Sequence, residues 1–296
     1  MKSTFGSLNG VIFGLGATLL WGSYPLWYKP LSHLDAYQLL AWRIIFAEAF
    51  LVVFILATRK LDAIVETVKT TRISDVFVIA LVLGLWWLMY IYGVMSNRVL
   101  EVAFGYFLSP IVSMAFSRVV FREPWNFYQK AAFFCALCGV LVMAVHLLAL
   151  RTFPWIAITI GLCYAFYGIF KKRIPGDPLL VQGLEIGLLL PLGISYLSFL
   201  EIDSARHIWG DAIQVDILLC STGIITVLPL WWYSKAAKEL SVKTLGFMQF
   251  VPPTCNFLLA IFIFHEAITS SKIFSFVLIW IALAIYTANS MLASRK

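Results

Sequence analysis

The sequence predicts an all-α polytopic membrane protein with ten transmembrane helices, arranged as two inverted repeats of five helices. Three observations predict this class: an apolar composition, ten apolar stretches of membrane-spanning length, and a pattern that recurs after half the chain. Of the 296 residues, 61% are hydrophobic and 12% are charged, whereas soluble domains have about half apolar and a quarter charged residues. A water-soluble core of this chain could not bury so much apolar surface.

Apolar stretches of about 18 or more residues are typical of membrane-spanning helices. Ten such stretches divide the chain, and the short segments between them leave no room for a soluble domain. They cover residues 9–27, 38–57, 75–95, 102–120, 129–148, 154–171, 179–200, 215–234, 244–264 and 272–292.

Basic residues are unevenly distributed among the loops. If the N-terminus is cytoplasmic, 16 of the 22 Lys and Arg residues lie in inner segments, five lie one each in outer loops, and Arg43 lies within a span. This asymmetry follows the positive-inside rule and predicts both termini in the cytoplasm. The net charge of +7 is thereby explained by topology. The expected partners are the lipid bilayer and a small-molecule substrate, and not nucleic acid.

Motifs for enzymatic chemistry are absent from the sequence. It contains no H-E-x-x-H, G-x-S-x-G or P-loop pattern, which argues against an intramembrane hydrolase and against a nucleotide-driven pump. Cys135 and Cys138 form a C-x-x-C inside a continuous apolar helix pattern, where no polar partner is near in sequence. We therefore expect no metal, no other cofactor and no enzymatic activity.

One phrase occurs twice in the chain. Segments 110–123 and 253–266 both begin with proline and end with glutamate, 143 positions apart. We expect Glu123 and Glu266 to cap the helix that follows each of them or to pair with nearby basic residues. The shift of 143 also places Trp21 on Tyr164 and Tyr24 on Tyr167.

Such weak internal similarity indicates a duplicated unit. The predicted units are residues 1–148 and 149–296, each with five spans. Because five is odd, the second unit must enter the bilayer from the opposite side, which gives an inverted-topology pair. Transporters commonly use this arrangement, since one scaffold can then expose a central site to either side.

Prolines inside the spans remove helical hydrogen bonds. Pro229, for example, cannot donate to the carbonyl of Ile225 four residues earlier. A freed carbonyl at membrane depth needs a neighbouring helix, a water molecule or a ligand. Such groups therefore predict either a polar cavity or a static kink that a neighbouring helix satisfies.

Six phrases spread over nearly every span together resemble the RarD-type permeases of the EamA family, in the drug/metabolite transporter superfamily. They are WGSYPLWYK (21–29), WRIIF (42–46), EVAFGYFLSPIV (101–112), PWIAITIGLCYAFYGIFKK (154–172), GLEIGLLLP (183–191) and LGFMQFVPPTCNFLLAIFIFHE (245–266). The resemblance implies a permease of the bacterial inner membrane with a central cavity between two five-helix halves. Two residues depart from the family pattern: Trp42 stands where a histidine commonly precedes the arginine, and Glu48 is not part of it.

Three ionisable residues lie inside predicted spans: Arg43, Glu48 and Glu185. Charged groups in hydrocarbon are costly and mark functional sites by default. At 1.5 Å per residue, Arg43 and Glu185 differ in depth by about 14 Å, so they cannot form a simple ion pair, and we expect one at each mouth of the cavity. Glu48 lies near the midplane and about 140° round the helix from Arg43. Glu48 and Glu185 are candidate proton carriers.

Aromatic residues supply the rest of the candidate site, because their faces can hold a flat or cationic solute. The residues predicted to bind substrate are Trp21, Tyr24, Arg43, Tyr106, Tyr164, Tyr167, Glu185 and Gln249. An interfacial aromatic belt is the alternative role, and we assign Tyr28, Trp232 and Tyr233 to that belt.

The expected function is secondary transport, as an exporter of small metabolites, amino-acid-like solutes or amphipathic drugs by alternating access. An uncoupled channel or facilitator is the alternative, and an intramembrane enzyme is a further one. The sequence leaves both a monomer and a homodimer open.

Overall fold

The computed structural model describes residues 8–119, 122, 125–149, 153–171, 174–202, 212–240, 244–245 and 248–293, so Glu123 lies outside the described residues. Within these ranges the chain forms helices and no strands. The helices are α1 Leu8–Gly22, α2 Tyr24–Tyr28, α3 Ala36–Ala57, α4 Leu61–Thr70, α5 Ile73–Met95, α6 Val99–Val119, α7 Phe127–Ala149, α8 Trp155–Lys171, α9 Pro178–Ile202, α10 Ile213–Glu239, α11 Val251–Phe262 and α12 Ser270–Ala293.

Six of the ten predicted stretches form helices that are long and apolar enough to cross a membrane by themselves. These helices are α3, α5, α6, α7, α9 and α10. In the described residues three of the other stretches form the shorter apolar helices α1, α8 and α11, and the fourth forms α12, of which Ser270–Ile285 is the apolar segment. The prediction of an all-α membrane protein is therefore confirmed, whereas the number of ten spans stays a prediction.

The first predicted stretch, 9–27, is not one helix but two. Helix α1 ends at Gly22, and α2 begins at Tyr24 with Pro25 in its first turn. Proline cannot donate a backbone hydrogen bond, so the ladder breaks there. The break packs closely against α11, because a Cβ atom added to Gly22 would lie 2.6 Å from the Cβ of Cys255.

Helix α4 was not predicted, because it falls between two apolar stretches. Its buried residue Thr67 lies on the side that contacts the segment before α9, and Leu61, Val65 and Val68 are exposed. Lys60, which precedes the helix, lies 3.5 Å from Asp177, which precedes α9. The chain between α3 and α5 is thus a short amphipathic helix rather than an irregular loop.

Helices α3 and α9 run antiparallel against each other. The rings of Tyr37 and Tyr196 lie 6.1 Å apart near one end. Towards the other end, a Cβ added to Gly183 would lie 2.5 Å from the Leu51 side chain. Residues that are later in α3 therefore face residues that are earlier in α9.

Helices α7 and α12 form a second antiparallel pair. Ser275 donates a hydrogen bond of 2.6 Å to the carbonyl of Gly139, and the Cys135 thiol lies 3.4 Å from the carbonyl of Leu278. Gly139 permits this approach, because a Cβ atom there would lie 2.9 Å from the Ser275 carbonyl oxygen. Small residues allow membrane helices to pack this closely.

Six further contacts between the two halves of the chain form three matched pairs. Helix α1 packs on α10, and α8 packs on α5; α6 packs on α8, and α11 packs on α1. Helix α3 also packs on α10, and α9 packs on α5. If each helix is replaced by the helix that lies 143 residues away in the chain, the first contact named in each pair becomes the second. The contact of α1 with α10, for example, becomes the contact of α8 with α5.

Glu266 differs from its prediction. It was expected to cap the following helix or to pair with a nearby basic residue. Its two carboxylate oxygens instead accept hydrogen bonds from the backbone N–H groups of Val99 at 2.5 Å and Leu100 at 3.0 Å, at the start of α6. A carboxylate at a helix N-terminus satisfies free donors there, and the tertiary packing, not the sequence distance, selects which helix it caps.

Candidate functional site

Arg43 lies in an aromatic pocket between helices α2, α3, α5 and α10. Its side chain is 2% exposed, and its Nε donates a hydrogen bond of 3.2 Å to Oγ1 of Thr226. The guanidinium carbon lies 3.8 Å from the ring centre of Trp87, 5.3 Å from that of Tyr24 and 5.6 Å from that of Tyr28. Cation–π contacts of this kind stabilise a desolvated guanidinium. We call these five residues the Arg43 pocket.

Tyr24 joins the two halves of the chain. Its hydroxyl donates a hydrogen bond of 2.7 Å to the carbonyl of Ile225 in α10, the carbonyl that Pro229 leaves without a helical donor. Of the two roles predicted for freed carbonyls, a kink satisfied by a neighbouring helix is the one found here.

The assignment of Tyr28 to an interfacial belt was wrong. Tyr28 is fully buried, and its ring lies 5.6 Å from the ring of Tyr24. The helix break at Ser23 is followed by a single turn of helix that carries both rings beside Arg43. Sequence spacing could not reveal this contact, because it depends on how α2 packs against α5 and α10.

Glu185 forms the second buried polar cluster, together with Lys171 and Tyr167. The Glu185 side chain is 0% exposed, and its Oε1 lies 2.6 Å from Nζ of Lys171. Tyr167 donates a hydrogen bond of 2.8 Å to Oε2 of Glu185 and accepts one of 2.9 Å from Lys171. Lys171 is the last residue of α8, and α8 and α9 both pack on α5, which brings Lys171 to Glu185.

A continuous row of aromatic rings connects the Arg43 pocket with the Glu185 cluster. Each ring centre lies 4.7–6.1 Å from that of the next ring in the row, within the range of favourable aromatic pairs. We call this row the aromatic path. Its members, in order, are Tyr28, Tyr90, Tyr106, Tyr164, Trp86 and Tyr167.

Arg43 and Glu185 occupy corresponding positions on the antiparallel pair α3 and α9. Each lies seven residues after the first residue of its helix. In the register of the two helices, Gly187 faces Glu48 and Gly193 faces Ala41. Glu185 therefore lies level with residue 49 or 50 of α3, about 10 Å along the helix axis from Arg43 at 1.5 Å per residue. The two groups are separate, as predicted, and each has its own partners.

Glu48 faces α9 rather than the Arg43 pocket, in agreement with the helical spacing. A Cβ added to Gly187 would lie 3.5 Å from Glu48 Oε1. The other oxygen, Oε2, is buried and has no hydrogen-bond partner in the described part of the chain. Glu48 is thus a desolvated carboxyl group next to the freed helical turn before Pro191.

Trp21 and Gln249 both contact Tyr233. The rings of Trp21 and Tyr233 lie 5.3 Å apart, and Nε2 of Gln249 donates a hydrogen bond of 3.0 Å to the Tyr233 hydroxyl. Tyr233, assigned from the sequence to the belt, is half-buried between these two groups.

The sequence prediction did not include Trp86, Trp87 and Thr226. Trp87 makes the shortest cation–π contact of Arg43, and Trp86 donates a hydrogen bond of 3.1 Å to the hydroxyl of Tyr106. Trp86 and Trp87 stand in the middle of an apolar stretch, away from its ends, and this position is the signal that could have identified the two tryptophans.

The comparisons with known proteins agree on one family. Residues 8–145 match the EamA-like transporter family. Protein RarD of Salmonella typhi is 31% identical over 97% of this chain and 97% of that protein. An uncharacterized transporter of Vibrio cholerae serotype O1 is 30% identical over 96% of this chain and 94% of that protein.

One solved crystal structure has the same fold. It superposes with a TM-score of 0.59 over 93% of this chain and 96% of that chain, at 18% sequence identity. The apolar helices, the family match and the similarity along the whole length of RarD lead to one conclusion. The chain is a multi-pass membrane protein that belongs to the RarD-type permeases of the EamA-like transporter family.

Proposed function

We propose that this permease is a secondary transporter that exports small metabolites, amino-acid-like solutes or amphipathic drugs by alternating access. The cavity lies between residues 1–148 and 149–296, which form two inverted five-helix halves. Both termini lie in the cytoplasm and the protein resides in the bacterial inner membrane, because the charge asymmetry follows the positive-inside rule.

The helix contacts support the inverted repeat. A shift of 143 relates α3 to α9 and α7 to α12, and both pairs pack antiparallel. A two-fold axis in the membrane plane reverses the direction of equivalent helices, whereas an axis along the membrane normal would leave them parallel. The Cys135 thiol contacts the carbonyl of Leu278, 143 residues away, as expected for residues on such an axis.

The aromatic path is the observation that carries the proposed transport route. It runs between two buried charged groups on repeat-related helices that enter the bilayer from opposite sides. Aromatic faces can hold an apolar solute while it passes from one charged end to the other. The proposed solute-contacting residues are Trp21, Tyr24, Arg43, Tyr106, Tyr164, Tyr167, Glu185 and Gln249.

Counterflow in proteoliposomes tests the proposal. Vesicles loaded with an unlabelled solute should accumulate the labelled solute transiently and with saturation if the protein is a carrier. Unsaturable flux with electrical conductance would instead identify a channel. Substitution of Tyr106 or Tyr164 by alanine should raise the half-saturating concentration, whereas Tyr92→Ala, on the outer surface of α5, should leave it unchanged.

Reporter fusions test the orientation. A reporter that is active only in the cytoplasm should be active when fused after residue 296. Activity of a periplasmic reporter at the same position would contradict both the topology and the inverted repeat.

A further inference from the structure

Arg43 is a buried cation without a counterion. In the part of the chain that the structure describes, its one hydrogen-bond acceptor is Thr226, and none of the ion pairs includes it. A guanidinium has five N–H donors in a planar fork, and a buried charge is normally paired. The three aromatic rings around it provide cation–π contacts but cannot accept these remaining hydrogen bonds in the way a carboxylate does.

Two further donors next to the pocket also lack an acceptor. The hydroxyl of Tyr28 and Nδ2 of Asn256 are buried and have no hydrogen-bond partner among the residues that the structure describes. Both lie beside Tyr90: its ring is 6.1 Å from that of Tyr28, and its hydroxyl donates a hydrogen bond of 3.4 Å to Oδ1 of Asn256. Donors from α2 and α11 thus lie on two sides of Tyr90, next to the Arg43 pocket, and a ligand with several acceptor oxygens would satisfy them.

The repeat-related cluster contains the carboxylate that the Arg43 pocket lacks. The shift of 143 converts Tyr24 into Tyr167 and Tyr28 into Lys171. In the second cluster Lys171 is neutralised by Glu185, which lies on α9 one residue before the position that the shift of 143 assigns to Arg43. Among the described residues, the Glu185 cluster therefore contains a complete ion pair, whereas the Arg43 pocket contains only the cation.

We propose that the Arg43 pocket binds the anionic group of the transported solute, and that the solutes are organic carboxylates with a flat apolar body. The carboxylate would accept the bidentate hydrogen bonds that guanidinium groups favour, and the apolar body would lie along Tyr90 and Tyr106. A cationic solute is disfavoured, because Arg43 already occupies the aromatic faces of this pocket. This assignment of a substrate class rests on the proposed transport function.

Three probes with the same ring and different charge test the proposal: phenylacetate, phenylacetamide and phenethylamine. The full chain is purified in lipid nanodiscs, and its melting temperature is measured against the concentration of each compound. We expect phenylacetate to raise the melting temperature with saturation, and the neutral amide and the cationic amine to have much weaker effects. The same measurement is repeated with benzoate and indole-3-acetate.

Arg43→Met removes the charge and keeps a flexible apolar side chain. We expect it to weaken phenylacetate binding about 10- to 100-fold, the scale of a lost charge-assisted contact, and to leave the melting temperature of the ligand-free protein equal or higher. Arg72→Met, at an exposed position before α5, is the matched control and should bind phenylacetate like the wild type. Tyr28→Phe keeps the ring and should weaken binding severalfold, which provides a test that does not depend on the stability of the Arg43 variant.

The proposal is overturned if none of the three carboxylates stabilises the protein, if phenethylamine stabilises it as well as phenylacetate does, or if Arg43→Met leaves binding intact. Saturable counterflow of phenethylamine without carboxylate binding would overturn the anion site and leave the transport proposal standing. Binding of phenylacetate that depends on Arg43, without saturable counterflow of any carboxylate, would support the site and contradict transport.

Discussion

The hydroxyl of Tyr24 donates a hydrogen bond of 2.7 Å to the carbonyl of Ile225, a carbonyl that has no helical donor because Pro229 stands four residues later. The bond links α2 in one half of the chain to α10 in the other. A buried carbonyl that loses its only donor costs about 1–3 kcal/mol. This bond therefore ties the kink in α10 to the contact between the halves.

We expect Tyr24→Phe to lower the free energy of unfolding by about 1–3 kcal/mol, because the ring stays and the donor is lost. Pro229→Ala restores a backbone N–H that can donate to the Ile225 carbonyl. In that background Tyr24→Phe should cost about 1 kcal/mol less, which a double-mutant cycle measured by unfolding in mixed micelles would detect.

Tyr92→Phe is the matched control, because the Tyr92 ring is 37% exposed on the surface of α5. It should change the free energy of unfolding by less than about 0.5 kcal/mol. Equal effects of Tyr24→Phe with and without Pro229 would show that the hydroxyl does not serve the freed carbonyl.

The ion pair of Lys171 and Glu185 gives a second prediction. Removing one partner of a buried pair costs about 3–5 kcal/mol, and the loss should be somewhat smaller here because the Lys171 side chain is 18% exposed. Glu185→Gln should therefore destabilise the protein strongly. The double variant Glu185→Gln with Lys171→Met should recover most of the loss, because it leaves no unpaired charge. Melting temperatures in the same detergent measure both effects.

The opposite order, with the double variant less stable than Glu185→Gln, would contradict this account of the cluster. Lys60→Met is a control, because Lys60 pairs with Asp177 at the surface, where both side chains are about one-third exposed. Exposed pairs contribute about 0–1 kcal/mol, so this variant should melt close to the wild type.

The sequence was sufficient to predict the helical membrane class, whereas the roles of the candidate site residues stay predictions. Apolar length identified the helices, and the cost of a charge in hydrocarbon singled out Arg43 and Glu185, which are both buried. The shift of 143 also identified Tyr24 and Tyr167, which lie in the two polar clusters. These features depend on composition and on chain repetition, and both can be read without coordinates.

The partners of these residues could not be predicted, because they come from other helices. Lys171 is the last residue of α8, yet its ion-pair partner Glu185 lies on α9. Tyr28 was assigned to the interface, yet the short helix α2 carries it beside Arg43. Aromatic belts and aromatic pockets have the same composition, and only the packing of α2, α3 and α5 distinguishes them.

Glu266 gives a prediction about pH. Burial raises the pKa of its carboxyl group above the ordinary value, and the N–H groups of Val99 and Leu100 oppose this shift without cancelling it. The folded protein therefore holds this proton more tightly than the unfolded chain does. The stabilisation that this proton provides is fully present below the pKa of the carboxyl group in the unfolded chain, about 4.3. It is lost as the pH rises through the higher pKa of the same group in the folded protein.

As the pH rises from 4 to about 7, we therefore expect the free energy of unfolding of the wild type to fall relative to that of Glu266→Gln. Glutamine has no group that titrates in this range, so the variant lacks this contribution to the pH dependence. Melting curves at a series of pH values measure the difference. Glu66→Gln, at an exposed position of α4, is the control and should follow the wild type. A constant difference across the range would contradict the prediction.

Glu48 is the better candidate for a proton carrier now that Glu185 is known to be ion-paired. Its Oε2 is buried and has no hydrogen-bond partner in the ranges that the structure describes, and the side chain faces Gly187 across the contact of α3 and α9. A desolvated carboxyl group favours its neutral form, and access to water favours the charged form. If α3 and α9 shift against each other during transport, Glu48 would take up a proton on one side and release it on the other.

Glu48→Gln keeps the shape of the neutral carboxyl group but cannot exchange a proton. We expect the variant to retain solute counterflow, which needs no gradient, and to lose the stimulation of transport by a pH gradient. Proteoliposomes with equal and unequal internal and external pH measure the two activities side by side. The melting temperature of Glu48→Gln should stay at or above that of the wild type, because no hydrogen bond or ion pair is lost.

If Glu48→Gln still responds to the pH gradient and Glu185→Gln does not, the proton is carried by the Lys171–Glu185 pair. If both variants respond like the wild type, neither carboxyl group couples transport to protons.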